Sequence, residues 1–124
     1  MADGKVILVG AGAGGADLIS RRGYAALRTA DVIITDRLID PGLLTGIDPG
    51  KIRYVGKGGG MASVPQDAIN ETLIALAREG RTVVRLKGGD PLIFGRGGEE
   101  LEALAAAGIG FEIVPGITAA SVAA

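Results

Sequence analysis

The sequence predicts an α/β domain built on an open, mainly parallel five-stranded sheet flanked by helices. Three observations carry that expectation. Short apolar runs rich in Val and Ile alternate with segments of helical periodicity along almost the whole chain. The runs are continuously apolar rather than apolar at every second residue, the pattern of strands buried on both faces. Aromatic residues make up only 3% of the 124 residues, so the core has to be built from Val, Ile, Leu and Ala.

In chain order, Val6-Ile7-Leu8-Val9 is the first strand. A glycine-rich turn at 10–15 leads into a helix over 17–29, which Gly23 weakens by about 1 kcal/mol relative to Ala. The run Asp31-Val32-Ile33-Ile34-Thr35 is the second strand, closed by Asp36. Pro41-Gly42 then breaks the chain, and Leu43-Leu44 enter a short helix. A weaker third strand spans 51–55 and is followed by the loop Gly56-Lys57-Gly58-Gly59-Gly60. The clearest helix opens at Ser63-Val64-Pro65-Gln66, where Ser63 can cap and Gln66 can complete a capping box. Ile69, Leu73, Leu76 and Ala77 repeat at helical spacing, and Gly80 ends that helix. Residues 82–86 are the fourth strand, 99–107 an Ala/Leu helix stopped by Gly108, and 111–114 the fifth strand.

Composition removes several classes of chemistry. The chain has no Cys, which excludes disulfides, thiolate metal sites and thiol nucleophiles. It has no His, so acid–base work falls to Asp, Glu, Lys or Tyr. A net charge of -1 and two Phe, two Tyr and no Trp argue against a nucleic-acid partner. No apolar run approaches the roughly 20 residues of a membrane span, and the N-terminus has no signal-peptide pattern, so a cytoplasmic protein is expected. No metal site is expected. The chain closes on Thr118-Ala119-Ala120-Ser121-Val122-Ala123-Ala124, which reads as the first turns of a helix without a cap. Residues 1–124 are therefore expected to be one domain of something larger.

In an open parallel sheet, ligands bind outside the carboxyl ends of the strands. Four segments at those ends are unusual. Gly10-Ala11-Gly12-Ala13-Gly14-Gly15 satisfies G-x-G-x-x-G between a strand and a helix, with Asp36 placed 21 residues beyond Gly15. That is the dinucleotide fingerprint, in which bare backbone and a helix N-terminus meet a phosphate and an acid meets the ribose. It is equally a tight turn where only small residues fit. In the segment 85–100, Gly88 and Gly89 bare the backbone, Asp90 is an acceptor for hydroxyl or ammonium groups, and Lys87 and Arg96 can pair with carboxylates. Glu99 and Glu100 read there as acids capping the next helix. Lys57, on its glycine loop, holds an anion, donates a proton or is a solvated charge. Thr118, after Pro115-Gly116-Ile117, is a helix cap or a ligand contact.

Taken together, Thr35-Asp36-Arg37-Leu38, Val55-Gly56-Lys57, Ser63-Val64-Pro65-Gln66 with Ile69-Asn70, the stretch 85–100 and the stretch 114–121 resemble the S-adenosylmethionine-dependent tetrapyrrole methylases. Within that family the Gly-Gly-Asp-Pro segment running into Phe-Gly-Arg-Gly-Gly-Glu-Glu is most similar to the uroporphyrinogen III C-methyltransferases. The resemblance spans residues 5–124. It implies two α/β domains with the cofactor between them, of which this chain is the N-terminal one, and a homodimer for the full-length enzyme.

The implied reaction is methylation of two pyrrole carbons of uroporphyrinogen III by S-adenosylmethionine, giving precorrin-2 for sirohaem or cobalamin and releasing S-adenosylhomocysteine. Carried over by position, Gly88, Gly89, Asp90, Ile93, Thr118 and Ala119 would hold the cofactor. Ala13 would join them, standing where the family's glycine loop has a proline. Asp36 aligns with the proton acceptor and Lys57 with the proton donor. Arg37 and Arg96 would meet the substrate's carboxylates. Two other readings stay open: a dinucleotide-binding module using Gly10, Gly12, Gly15 and Asp36, and a folded half-domain without activity of its own.

Overall fold

The computed structural model describes residues 3–10, 20–35, 41–55, 65–87 and 97–115. Five strands, β1 (Lys5–Gly10), β2 (Val32–Thr35), β3 (Ile52–Tyr54), β4 (Thr82–Lys87) and β5 (Gly110–Val114), form one sheet in the order β3-β2-β4-β1-β5. Every neighbouring pair is parallel, so the expected sheet is parallel throughout. Three α-helices accompany it among the described residues: α1 (Arg21–Thr29), α2 (Gln66–Arg78) and α3 (Gly97–Ala106). None of them is long and apolar enough to cross a membrane.

Alternate residues of each strand face opposite sides of the sheet, and two separate cores follow from that. On one side Ile7, Val9, Ile33, Val84 and Leu86 pack against Ala26, Leu27 and Ala30 at α1, joined by Leu43, Leu44 and Ile47. On the other, Val6, Leu8, Val32, Ile34 and Val83 pack against Ile69, Leu73, Leu76 and Ala77 of α2 and Leu104 of α3. The continuous apolar runs of β1 and β2 are needed because both faces are covered, and in β4 the run is interrupted by Arg85 and Lys87.

Strand order and the right-handed crossover rule explain which helix lies on which face. The chain steps from β1 to β2 to β3 in one direction across the sheet, then from β3 to β4 to β5 in the other. Reversing direction moves the crossovers to the opposite face. The connection leaving β1 therefore goes to the α1 side and the connection leaving β4 to the α2/α3 side. β1 and β4 are neighbours whose connections go to opposite faces, and it is outside the carboxyl ends of such a pair that ligands enter open parallel sheets.

Helix ends show where local chemistry overrides or confirms the periodicity. α1 starts at Arg21 rather than at residue 17, because Ser20 is in extended backbone and its hydroxyl accepts the Gly23 N–H at 3.1 Å. α2 starts at Gln66 with Pro65 at the cap position and no side-chain cap bond, so the expected capping box does not form. Gln66 is the first helical residue, too early to reach back as a box glutamine, and Ser63 lies outside the described residues. α3 begins two residues earlier than the sequence suggested, at Gly97.

The C-terminal stops are where they were expected. Gly80 (φ 87) and Gly108 (φ 74) both adopt left-handed backbone. Gly80 N–H donates to Ala77 C=O at 3.0 Å and Arg81 N–H to Leu76 C=O at 3.4 Å. Gly108 N–H donates to Ala105 C=O at 3.1 Å and Ile109 N–H to Leu104 C=O at 2.9 Å. Each is a Schellman motif, and at α3 the apolar pair that accompanies it, Leu104 and Ile109, is buried in the core.

Gly108 gives a clean test of this account. A Cβ there would meet nothing within 4 Å, so Gly108→Ala changes conformation and not packing. The left-handed penalty should lower unfolding stability by about 1–2 kcal/mol in a urea titration. An alanine variant as stable as the parent would show that the positive φ is not what Gly108 supplies.

Candidate functional site at the carboxyl edge of the sheet

The register aligns the strand ends. Thr35 lies opposite both Tyr54 and Leu86, Gly10 opposite Lys87, and Val9 opposite Val114. All five strands thus terminate along one edge. The segments holding the sequence-predicted site residues leave from this edge: 11–19 follow β1, 36–40 follow β2, 56–64 come just after β3, 88–96 follow β4 and 116–124 come just after β5. Those residues themselves lie outside the described residues. They are Ala13, Asp36, Arg37, Lys57, Gly88, Gly89, Asp90, Ile93, Arg96, Thr118 and Ala119, together with Gly12 and Gly15 of the dinucleotide pattern.

The described residues do show a charged cluster immediately behind the edge. β4 is the central strand, and it carries Arg85 and Lys87 two residues apart, on the same face as Val83. That face is covered by α2 and α3. Glu100 lies in the first turn of α3, four residues before Leu104, so both side chains turn inward. Arg85, Lys87 and Glu100 are 3%, 3% and 0% exposed. Arg85 Nε donates to Glu100 Oε2 at 2.8 Å, and Lys87 Nζ donates to Glu100 Oε1 at 3.1 Å. Gln66 Nε2, at the start of α2, donates to Glu100 Oε2 at 3.3 Å and to Asn70 Oδ1 at 2.9 Å. The Arg85 Nη1 group reaches the carbonyls of Ile34 at 3.4 Å and Leu86 at 3.3 Å. No buried side-chain N or O among the described residues lacks a partner.

Burial by itself would raise the Glu100 pKa, but the two cations and their hydrogen bonds outweigh it and hold the carboxyl below the ordinary glutamate value. Glu100 therefore stays ionised and accepts hydrogen bonds from three side chains. It is a tie between elements, not a group placed to exchange protons. This corrects the expectation that Glu99 and Glu100 serve alike as capping acids. Glu99 is exposed at the helix start, whereas Glu100 belongs to the sheet. Lys87 does pair with a carboxylate as expected, and the carboxylate is Glu100.

Arg85 was not singled out in the sequence, and Glu100 and Gln66 were read only as capping residues. One signal for them was there. Two cations at i and i+2 in an otherwise apolar central strand share a covered face, and a covered cation needs an anion. What the sequence does not give is which anion, because Glu100 lies 15 residues from Arg85 and reaches it only through the α3 crossover.

Two other features help to delimit the site. Among the described residues no group of three His, Cys, Asp or Glu is placed to hold a metal ion. A shallow groove of about 270 Å³ lies between α1 and the β1–β5 pair, bounded by Arg22, Ala26, Lys5 and Glu112. No sequence-predicted ligand residue lines it.

The family profile described as Tetrapyrrole (Corrin/Porphyrin) Methylases matches residues 5–124. Among curated proteins, the chain is 59% identical over 119 residues to a siroheme synthase of Edwardsiella ictaluri (strain 93-146), covering 95% of this chain and 26% of that protein. It is 55% identical over 122 residues to a siroheme synthase of Pseudomonas fluorescens (strain SBW25), covering 97% and 26%. Among solved structures, uroporphyrin-III-C-methyltransferase from Thermus thermophilus superposes with a TM-score of 0.80 at 52% identity, over 91% of this chain and 47% of that one. A uroporphyrin-III C-methyl transferase from the same organism, complexed with S-adenyl homocysteine, gives 0.79 at 45% identity, over 93% and 49%. The chain thus spans about a quarter of the curated relatives and about half of the solved ones.

The cluster makes two measurable demands. Glu100→Gln leaves Arg85 and Lys87 buried without their anion and should cost about 3–5 kcal/mol in denaturant unfolding, the usual loss when one partner of a buried ion pair is removed. Because the folded-state pKa of Glu100 is lowered, its stabilisation is complete above the unfolded glutamate pKa of about 4.3 and is lost as pH falls toward the lowered value. The parent should therefore lose stability between neutral and acid pH more steeply than Glu100→Gln. Parallel acid profiles for the two proteins would contradict an ionised, paired Glu100.

Proposed function

Because the chain belongs to the tetrapyrrole methylase family, we propose that it is the N-terminal, cofactor-binding domain of an S-adenosylmethionine-dependent methyltransferase acting on uroporphyrinogen III to give precorrin-2. The observation that carries this reading is the alignment of the strand ends along one edge of the sheet. The segments that the resemblance assigns to cofactor and substrate leave the sheet from β1, β2, β4 and β5, whose carboxyl ends are in register.

S-adenosylmethionine would supply an electrophilic methyl group, leaving S-adenosylhomocysteine. The residues of this edge suit such a molecule. Gly10 ends β1 beside Lys87 without a side chain, and the residues that follow Lys87 in the sequence, Gly88 and Gly89, have none either, which suits a ligand that meets backbone. In this reading Gly88, Gly89, Asp90, Ile93, Thr118, Ala119 and Ala13 hold the cofactor, with the Asp90 carboxylate accepting from hydroxyl or ammonium groups. C-methylation leaves a cationic pyrrole system that must lose or relocate a proton. Asp36 takes that proton and Lys57 donates one, a division of labour open to a chain without His. Arg37 and Arg96 pair with carboxylates of the substrate. The whole enzyme is read as a cytoplasmic homodimer with a second domain closing the cofactor site, and with neither nucleic acid nor membrane as a partner.

Calorimetric titration of the chain with S-adenosylhomocysteine tests the reading. Saturable binding is expected, weakened about tenfold or more in Asp90→Ala, the worth of one charge-assisted hydrogen bond. Binding of NAD in place of S-adenosylhomocysteine would replace it with the dinucleotide reading. Heat from neither ligand would overturn the assignment of a working cofactor site to these residues.

A further inference from the structure

The charged cluster joins more than a strand and a helix. Lys87 is the last residue of β4 before the connection 88–96 and Arg85 lies two residues earlier, and Glu100 is on the first turn of α3 after it. Gln66 is the first residue of α2, directly after the connection 56–64 and Pro65. One carboxylate therefore holds both ends of the connection leaving β4 and the downstream end of the connection leaving β3. These two connections carry Asp90 and Lys57. The cluster is buried and fully partnered, so its influence on a bound ligand passes through the backbone it holds.

We propose that Glu100 is a positioning residue, which fixes the end of β4 and the starts of α2 and α3 relative to one another by binding Gln66, Arg85 and Lys87 at once. The proposal rests on the functional reading above for the identity of the ligand, and on the geometry alone for the tie. Three features favour a tie over simple core filling. An apolar side chain would fill the same volume without a buried charge, and such replacements are often neutral or stabilising. A carboxylate is the side chain that accepts from two cations and an amide together. The Gln66 link also runs from α2 to α3, so the tie spans both helices on that face.

The experiment compares three single variants of the chain by hydrogen exchange, resolved by segment, and by S-adenosylhomocysteine titration at a temperature where all are folded. Leu104→Ala is the control. It removes a buried side chain one helical turn from Glu100 that makes no hydrogen bond to the cluster. Glu100→Gln should speed exchange about tenfold or more in both 56–64 and 88–96 beyond any change in β1, and should weaken S-adenosylhomocysteine binding by a similar factor. Leu104→Ala should leave the affinity within about twofold once stability is matched by temperature. Gln66→Ala severs the α2 link alone and should loosen 56–64 but not 88–96, which keeps the test intact should Glu100→Gln fail to fold.

Equal exchange in the two connections for the parent and the Glu100 and Gln66 variants overturns the proposal, as does a Leu104→Ala protein that loosens both connections as much as Glu100→Gln. A parent chain that binds no S-adenosylhomocysteine rejects the functional reading, and the exchange data then decide the tie by themselves.

Discussion

Two positive charges on the central strand have to be neutralised in a place that excludes water, and the position of Glu100 follows from that need. Arg85 and Lys87 lie beneath α2 and α3 with almost no exposure. An isolated buried cation costs several kcal/mol even after relaxation. The carboxylate that meets them comes from the first turn of α3, where the helix dipole also favours a negative charge. Satisfying the pair therefore locks the rotation of α3 about its axis, and the same rotation turns Leu104 into the core. Gln66 extends the lock to α2. Electrostatic and apolar requirements select one packing of helices on sheet.

The exposed ion pairs contrast with this arrangement. Lys5 and Glu112 join β1 to the edge strand β5 at 3.4 Å, with both side chains about half exposed. Arg81 and Glu79 pair at 3.2 Å in the turn after α2 with similar exposure. Pairs of that kind are worth about 0–1 kcal/mol and tolerate loss. Register at the amino edge depends instead on backbone, where Asp31 N–H donates to Thr82 C=O and the Asp31 carboxylate accepts the Thr82 N–H, both at 2.8 Å. The amino edge is thus held by short bonds between the starts of two neighbouring strands. The carboxyl edge, from which the ligand segments depart, is held by a buried charge cluster reaching across three elements.

Much of the fold was legible because the signals for it are local. Continuous apolar runs marked the strands of a sheet covered on both sides, and the glycines at 80 and 108 marked helix stops, since only a residue without Cβ enters the left-handed backbone of a Schellman motif cheaply. The start of α2 was misjudged for an equally physical reason. A capping box was available in the sequence, but the helix begins at Gln66, whose amide is drawn to Glu100 and Asn70 instead of back to its own cap. The start of α1 moved for the opposite reason, since Ser20 offered a local cap that the periodicity ignored.

The sequence by itself determined the class of fold and the family and marked the candidate ligand segments, because hydrophobic periodicity, glycine placement and motif spacing are written in neighbouring residues. Only the tertiary structure decided strand order, the face taken by each crossover and the partner of each buried charge. Strand order depends on where the chain reverses direction across the sheet, and no single segment encodes it. Arg85 and Glu100 stand 15 residues apart, and only the β4–α3 crossover brings them to 2.8 Å. Gln66 and Glu100 stand 34 apart and meet because two helices share one face. Side chains that far apart in sequence have no short-range pattern to announce them, so their pairing is set by the packing that their burial demands.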